Sequence, residues 1–156
     1  TDFDYHSDWS YEGLALRYMT WNCSASCIKE NIWLGTGITE SQACLNQCYN
    51  DNNYKSLLYF AKHQGTKYNS HNLFLDVFLK FGIPGFVTIL LIFLFFFSYA
   101  IKKRNLLMVL LLIFFCLNGL TESILVREKG IIFFSFMLGF LSSINPSRKE
   151  LAEQKI

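Results

Sequence analysis

The stretch NSHNLFLDVFLKFGIPG, residues 69–85, places a lone histidine where an amphipathic helix begins. Ser70 reads as the N-cap, so His71 falls in the first turn of a helix running to about Phe81. There it sits at the positive end of the macrodipole, which disfavours imidazolium and leaves a ring nitrogen free to accept a proton. Partial burial works in the same direction. This placement suits a general base. The structural alternative is a histidine that caps the helix or bonds a backbone carbonyl. On the same helix Asn72, Asp76 and Lys80 form the expected wet face, while His71 lines up with Leu75, Phe78 and Gly82 on the buried one.

Arg17 is the second residue with chemical potential, lying at the edge of an apolar stripe and not on an open polar face. A guanidinium directed towards a membrane-proximal cleft calls for an anion, and phosphate oxygens match its fork. The alternatives are a snorkelling side chain or a salt bridge to Glu12 or Asp8. Lys62 and Lys67 add positive potential ahead of His71. Glu122 closes a long apolar run; a carboxylate there is costly in lipid, so it faces a cavity or a partner such as Arg127. His6, His63 and His71 lack metal-ligand spacing, so no metal and no cofactor are expected.

The elements that must position these residues divide the chain in two. It has 156 residues, of which 52% are hydrophobic, with 16 Phe, an odd balance for a small water-soluble fold. Residues 83–101 and 105–125 carry apolar runs of the length a membrane span needs, about 20 residues. A third run, 131–145, is short and would need tilt or a locally thinned bilayer. Residues 83–156 thus read as transmembrane helices with a tail, and residues 1–82 as an outer loop region carrying the candidate site. Lys102, Lys103 and Arg104 join the first two runs, and the tail is basic. The positive-inside rule puts both in the cytoplasm and residues 1–80 outside. Residues 1–80 are net −2, so the basic surplus belongs to the membrane half and no nucleic-acid partner is implied. The chain starts without Met or a signal peptide, so the expectation is the C-terminal piece of a longer multi-span protein.

In the outer half, Leu14, Tyr18, Trp21, Ala25, Ile28 and Ile32 recur at helical spacing and stop at GTG, residues 35–37. A shorter helix follows, with Thr39 as its cap. Cys23 and Cys27, like Cys44 and Cys48, are four apart, and an antiparallel helical hairpin would pair them as Cys23–Cys48 and Cys27–Cys44. Zinc is the weaker alternative for this spacing. Cys116 reads as a small apolar residue of a span.

SHNLFLDVFLKFGIPGFVTILLIFLFFF resembles the signature of the bacterial O-antigen ligase family (the Wzy-C superfamily), in which a His-Asn pair opens a helix that runs through a Gly-Ile-x-Gly hinge into a span. LRYMTWNCSASCIKENIWLGTGI is similar to that family's Arg-x-x-x-Trp helix with its Gly-x-Gly turn, and LTESILVREKGIIFFSFMLGFLSS resembles its closing pair of spans. Asn31-Ile32-Trp33 departs from the family's usual Asn-Pro-x, and the outer cysteines are no hallmark of it.

The resemblance implies an all-α, GT-C-like polytopic protein of the bacterial inner membrane with a large periplasmic loop. It would be a metal-independent glycosyltransferase moving a glycan from undecaprenyl pyrophosphate to a sugar hydroxyl of lipid A-core. His71 would be the base and Arg17 would bind pyrophosphate, with Asn72, Lys67, Glu122 and Arg127 as further substrate-binding candidates. Family members also use an arginine from upstream spans, so these 156 residues alone are expected to be inactive. Two alternatives stay open. One is a polysaccharide polymerase or an O-linked protein oligosaccharyltransferase of the same superfamily. The other is a non-catalytic membrane protein with a disulfide-clipped helical hairpin.

Overall fold

The computed structural model describes residues 13–54, 56–58 and 68–143, which contain helices and turns and no strand. The helices are α1 (Gly13–Glu30), α2 (Glu40–Asp51), α3 (Leu73–Lys102), α4 (Leu106–Thr121) and α5 (Glu128–Ser143), with a 3-10 turn at Ile124–Val126 before α5.

Two apolar clusters organise them. Met19, Cys23, Cys27, Leu45, Tyr49 and Leu79 centre the outer one. Leu73, Phe93, Met108, Leu112, Phe115 and Leu138 centre the other. α3 supplies Leu79 to the first and Leu73 to the second, so its opening segment joins the two. α1 and α2 are clamped by disulfides Cys23–Cys48 and Cys27–Cys44, with Cα–Cα separations of 5.6 and 6.2 Å. The clamp decides which face of α1 is buried. Met19, Thr20, Cys23, Ser24, Cys27 and Ile28 turn inward, while Leu14, at the start of the expected apolar stripe, is 77% exposed. A covalent link at two successive turns outweighs an aliphatic stripe in orienting a short helix. Thr39 flanks α2 but makes no side-chain cap. Instead the Ser41 amide reaches back to the Gly37 carbonyl, at 3.2 Å.

α3 departs furthest from the expectation. It begins at Leu73, and its N-cap is Asn72 rather than Ser70. Asn72 Oδ1 accepts from the amides of Phe74 (2.9 Å) and Leu75 (3.0 Å), while its Nδ2 donates to the Leu120 carbonyl at 2.9 Å. An amide can close both an orphan end of α3 and an orphan carbonyl of α4, which a hydroxyl of shorter reach cannot. Asn105 repeats the device at the other end of the bundle, capping α4 through the Met108 amide and donating to the Leu141 carbonyl.

Gly82 then breaks α3, with φ 61° and ψ −153°. The break is a reversal, not the hinge of a helix continuing into a span. The rings of Phe78 and Phe86 stack with centroids 5.1 Å apart, and those of Phe74 and Phe93 lie 6.3 Å apart. Along one straight helix those positions would be about 12 and 28 Å apart. Residues 73–81 therefore fold back along residues 83–102. Cutting a helix leaves unpaired backbone groups, and the turn after α1 satisfies them. Thr36 N donates to Leu79 O at 2.8 Å, Gly37 N to Lys80 O at 3.0 Å, and Ile83 N to Ile32 O at 3.1 Å. The approach is close enough that a Cβ at Gly35 would lie 2.5 Å from the Lys80 carbonyl carbon. Pro84, which has no amide proton, falls in the first turn of the new segment, where none is needed.

α3 is long and apolar enough to cross a membrane. Its portion beyond Gly82, residues 83–102, spans about 30 Å at ~1.5 Å per residue, the thickness of the hydrocarbon core. α4 and α5 have 16 residues each, or about 24 Å.

Gly82→Ala should destabilise the fold by at least about 2 kcal/mol, because a left-handed backbone alone costs a non-glycine residue about 1–3 kcal/mol. The added methyl would also meet the Trp33 carbonyl. Thermal unfolding in detergent measures this, and a melting temperature equal to that of the unmodified chain would contradict the tight reversal.

Candidate active site

Three side chains from three distant parts of the chain meet where α4 ends. Glu122 is the residue at the C-cap of α4, in extended backbone. Its Oε1 accepts from Arg17 Nη2 at 3.0 Å, and its Oε2 lies 3.3 Å from His71 Nδ1. Arg17 comes from the first turns of α1, and His71 immediately precedes the Asn72 cap. His71 is thus outside the helix, with φ 44°, and its amide donates to Asn69 Oδ1 at 3.1 Å. The macrodipole argument for a first-turn histidine does not apply; the neighbouring carboxylate is what addresses the ring. Packing does the rest: a Cβ built on Gly119 would lie 3.3 Å from Leu73 Cδ2, so the last turn of α4 rests against the start of α3 and delivers Glu122 to His71.

The side chains of Arg17, His71 and Glu122 are 34%, 25% and 43% exposed, so the cluster is reachable from outside. Burial alone would raise the Glu122 carboxyl. Hydrogen bonds with His71 and Arg17, together with their charges, outweigh it and hold the group below its ordinary 4.5. An ionised carboxylate only accepts hydrogen bonds, so the contact with His71 requires the proton on Nδ1. In the neutral ring the lone pair then lies on Nε2. The ring of Tyr68, 5.8 Å from that of His71, packs beside it. The result is a proton acceptor oriented by a carboxylate, next to a guanidinium suited to an anion.

The other sequence candidates are placed differently. Asn72 is buried, and its amide is committed to the helix ends. Arg127 is exposed, and among the described residues the ion-pair partners of Glu122 are Arg17 and His71, not Arg127. Lys62, Lys67, His6 and His63 lie outside the described residues, as do Glu12 and Asp8. Asp76 and Lys80 do not form a wet face. Asp76 is 1% exposed and bonds Lys80 Nζ at 2.6 Å, and the two line a pocket together with Ser41, Gln42 and Leu45 of α2 and Ile38 before it. The bridging role of Glu122 could not be read along the chain. A carboxylate at the end of an apolar run announces that it needs a partner, but two cations 105 and 51 positions away give no local signal. Among the described residues, no three of His, Cys, Asp and Glu come together as a metal-binding group.

A membrane-length apolar helix, with a histidine and an arginine meeting on a carboxylate at the end of its neighbour, defines a class of helical, membrane-associated protein. The sequence profile of the O-antigen ligase family (Wzy_C) matches residues 3–90, more than half of the chain, and the chain belongs to that family. Its members are membrane-associated, glycosyltransferase-like enzymes that act on lipid-linked glycans. The matched segment contains Arg17, His71 and the Gly82 reversal but not Glu122. No curated protein and no solved structure matches the chain.

The depressed Glu122 carboxyl has a defined sign for stability. It contributes above pH 4.5, the ordinary carboxyl value, and that contribution is lost as pH falls through the lower folded-state value. Melting temperatures recorded from pH 6 down to pH 3 should therefore fall more steeply below 4.5 for the native chain than for Glu122→Gln. Identical slopes would mean that the carboxylate is not held by its two partners.

Proposed function

We propose that this chain carries the acceptor-activating and donor-binding site of an O-antigen ligase-type transferase. The donor is a glycan on undecaprenyl pyrophosphate, and the acceptor is a sugar hydroxyl of lipid A-core. The observation that supports this reading is the meeting of His71 and Arg17 on one carboxylate, in a cluster open to its surroundings. In the transfer, His71 Nε2 removes the proton of the acceptor hydroxyl as its oxygen forms a bond to the anomeric carbon of the donor. The bond from that carbon to the phosphate oxygen breaks, and its electron pair leaves with the diphosphate. Arg17 stabilises that charge, which develops only along the reaction and is therefore where a fixed cation accelerates it. The imidazolium then loses its proton to water. α3 from residue 83, α4 and α5 serve as the membrane anchor, with Lys102, Lys103 and Arg104 on the cytoplasmic side and the α1–α2 clamp in the periplasm.

His71→Gln in the full-length protein should reduce glycan transfer about 10²–10⁴-fold, the usual contribution of a general base, with membrane insertion unchanged. Gln keeps a hydrogen bond to Glu122 but takes up no proton near neutral pH. Arg17→Lys should also impair transfer, since an ammonium lacks the fork that grips a diphosphate. Near-native transfer by His71→Gln would end the catalytic assignment. Topology has its own test. With Cys116 replaced by Ala, an impermeant thiol reagent added to intact cells should label Lys29→Cys and spare Lys103→Cys. The reverse pattern would exclude a periplasmic site.

A further inference from the structure

Glu122 lies beyond the segment that the family profile matches, yet both candidate catalytic side chains are bonded to it. The geometry gives one carboxylate two duties, with Oε2 on the base and Oε1 on the arginine that the proposed reaction needs for diphosphate. Two residues close to the cluster along the chain carry a further feature. Trp21 Nε1, one helical turn after Arg17, and Ser123 Oγ, on the residue after Glu122, are buried and have no hydrogen-bond partner among the described residues. Buried polar atoms without partners are uncommon and call for an explanation. An indole N–H can only donate, and a hydroxyl can do so readily. Each can therefore donate to an acceptor, and Glu122 is the anion bonded to the guanidinium.

We infer that Glu122 is an internal placeholder for the donor's diphosphate, an assignment that rests on the function proposed above. In the resting protein it holds Arg17 through Oε1. A diphosphate carries more charge and matches the guanidinium with two parallel hydrogen bonds, so it displaces a single, half-exposed carboxylate contact. On exchange, phosphate oxygens become acceptors for Arg17, Trp21 Nε1 and Ser123 Oγ. Glu122 stays with His71 through Oε2 and keeps the Nε2 lone pair directed to the acceptor. Glu122 is therefore a positioning residue that also competes with the donor, a combination that separates binding from turnover.

The test uses the full-length protein in detergent, with inorganic pyrophosphate as the binding probe and a polyprenyl-diphosphate glycan as the donor. Glu122→Gln should bind pyrophosphate several-fold more tightly and show a lower donor KM. Its kcat should fall about 10-fold or more, because the base loses its orienting charge. Ser123→Ala should bind pyrophosphate several-fold more weakly. Unchanged or weaker pyrophosphate binding by Glu122→Gln would overturn the placeholder role, as would a native kcat. If Glu122→Gln does not fold, Ser123→Ala decides alone, and native pyrophosphate affinity there would overturn the proposal. Failure of the transferase reading is distinguishable, since it would show as native activity of His71→Gln whatever Glu122→Gln does.

Discussion

The reversal of α3 at Gly82 is the constraint on which the other features depend. A residue at φ 61° lets nine residues fold back along the apolar helix that follows them. Three backbone hydrogen bonds from the turn after α1 close the cut ends. Had the helix continued straight, residue 71 would stand about 16 Å beyond Gly82, away from α4. Folded back, it reaches the last turn of α4 and the carboxylate there. The same turn ties α1 to the reversal, so the arginine near the start of α1 is delivered from the opposite side.

Helix ends supply most of the polar economy of this fold. Asn72 and Asn105 each cap one helix and satisfy a last-turn carbonyl of another, so helix packing and capping are made by the same side chains. That arrangement suits an apolar setting, where no water is at hand to bond an orphan carbonyl. It also explains why Asn72 sits where it does: its amide holds α3 against α4 and thereby sets the distance between His71 and Glu122. A change at Asn72 would reach the site through geometry and not through contact with substrate.

The two ionic features of the outer region have different characters. Asp76 is buried and Lys80 partly so, and the two are one turn apart on the same helix, so their pairing is local. Arg17 and Glu122 are a third to a half exposed, and pairs of that kind are individually weak. A weak, accessible pair between residues this distant makes a poor structural clamp. The disulfides hold α1 in place, which leaves the guanidinium available for exchange.

Some of this was legible along the chain, because it depends on local composition. Long uncharged runs dictate apolar helices, one of them long enough for a membrane. The His-Asn, Gly-Ile-Pro-Gly and Arg-x-x-x-Trp pieces are short-range patterns, and all of them lie within the segment that the family profile matches. Other features required the folded molecule. The choice of Asn72 over Ser70 as cap turned on a carbonyl 48 residues away. Whether Gly82 bends or reverses the chain depended on the turn at residues 32–37 that receives it. The face carrying Asp76 and Lys80 has an amphipathic spacing that correctly marks it as polar, but periodicity cannot say that folding will bury the carboxylate in it. Glu122 could be recognised as a carboxylate in need of a partner, while the identity of that partner was set by packing. Local interactions decide what each segment becomes; the meeting of Arg17, His71 and Glu122 belongs to tertiary structure, since no short-range force in the sequence relates them.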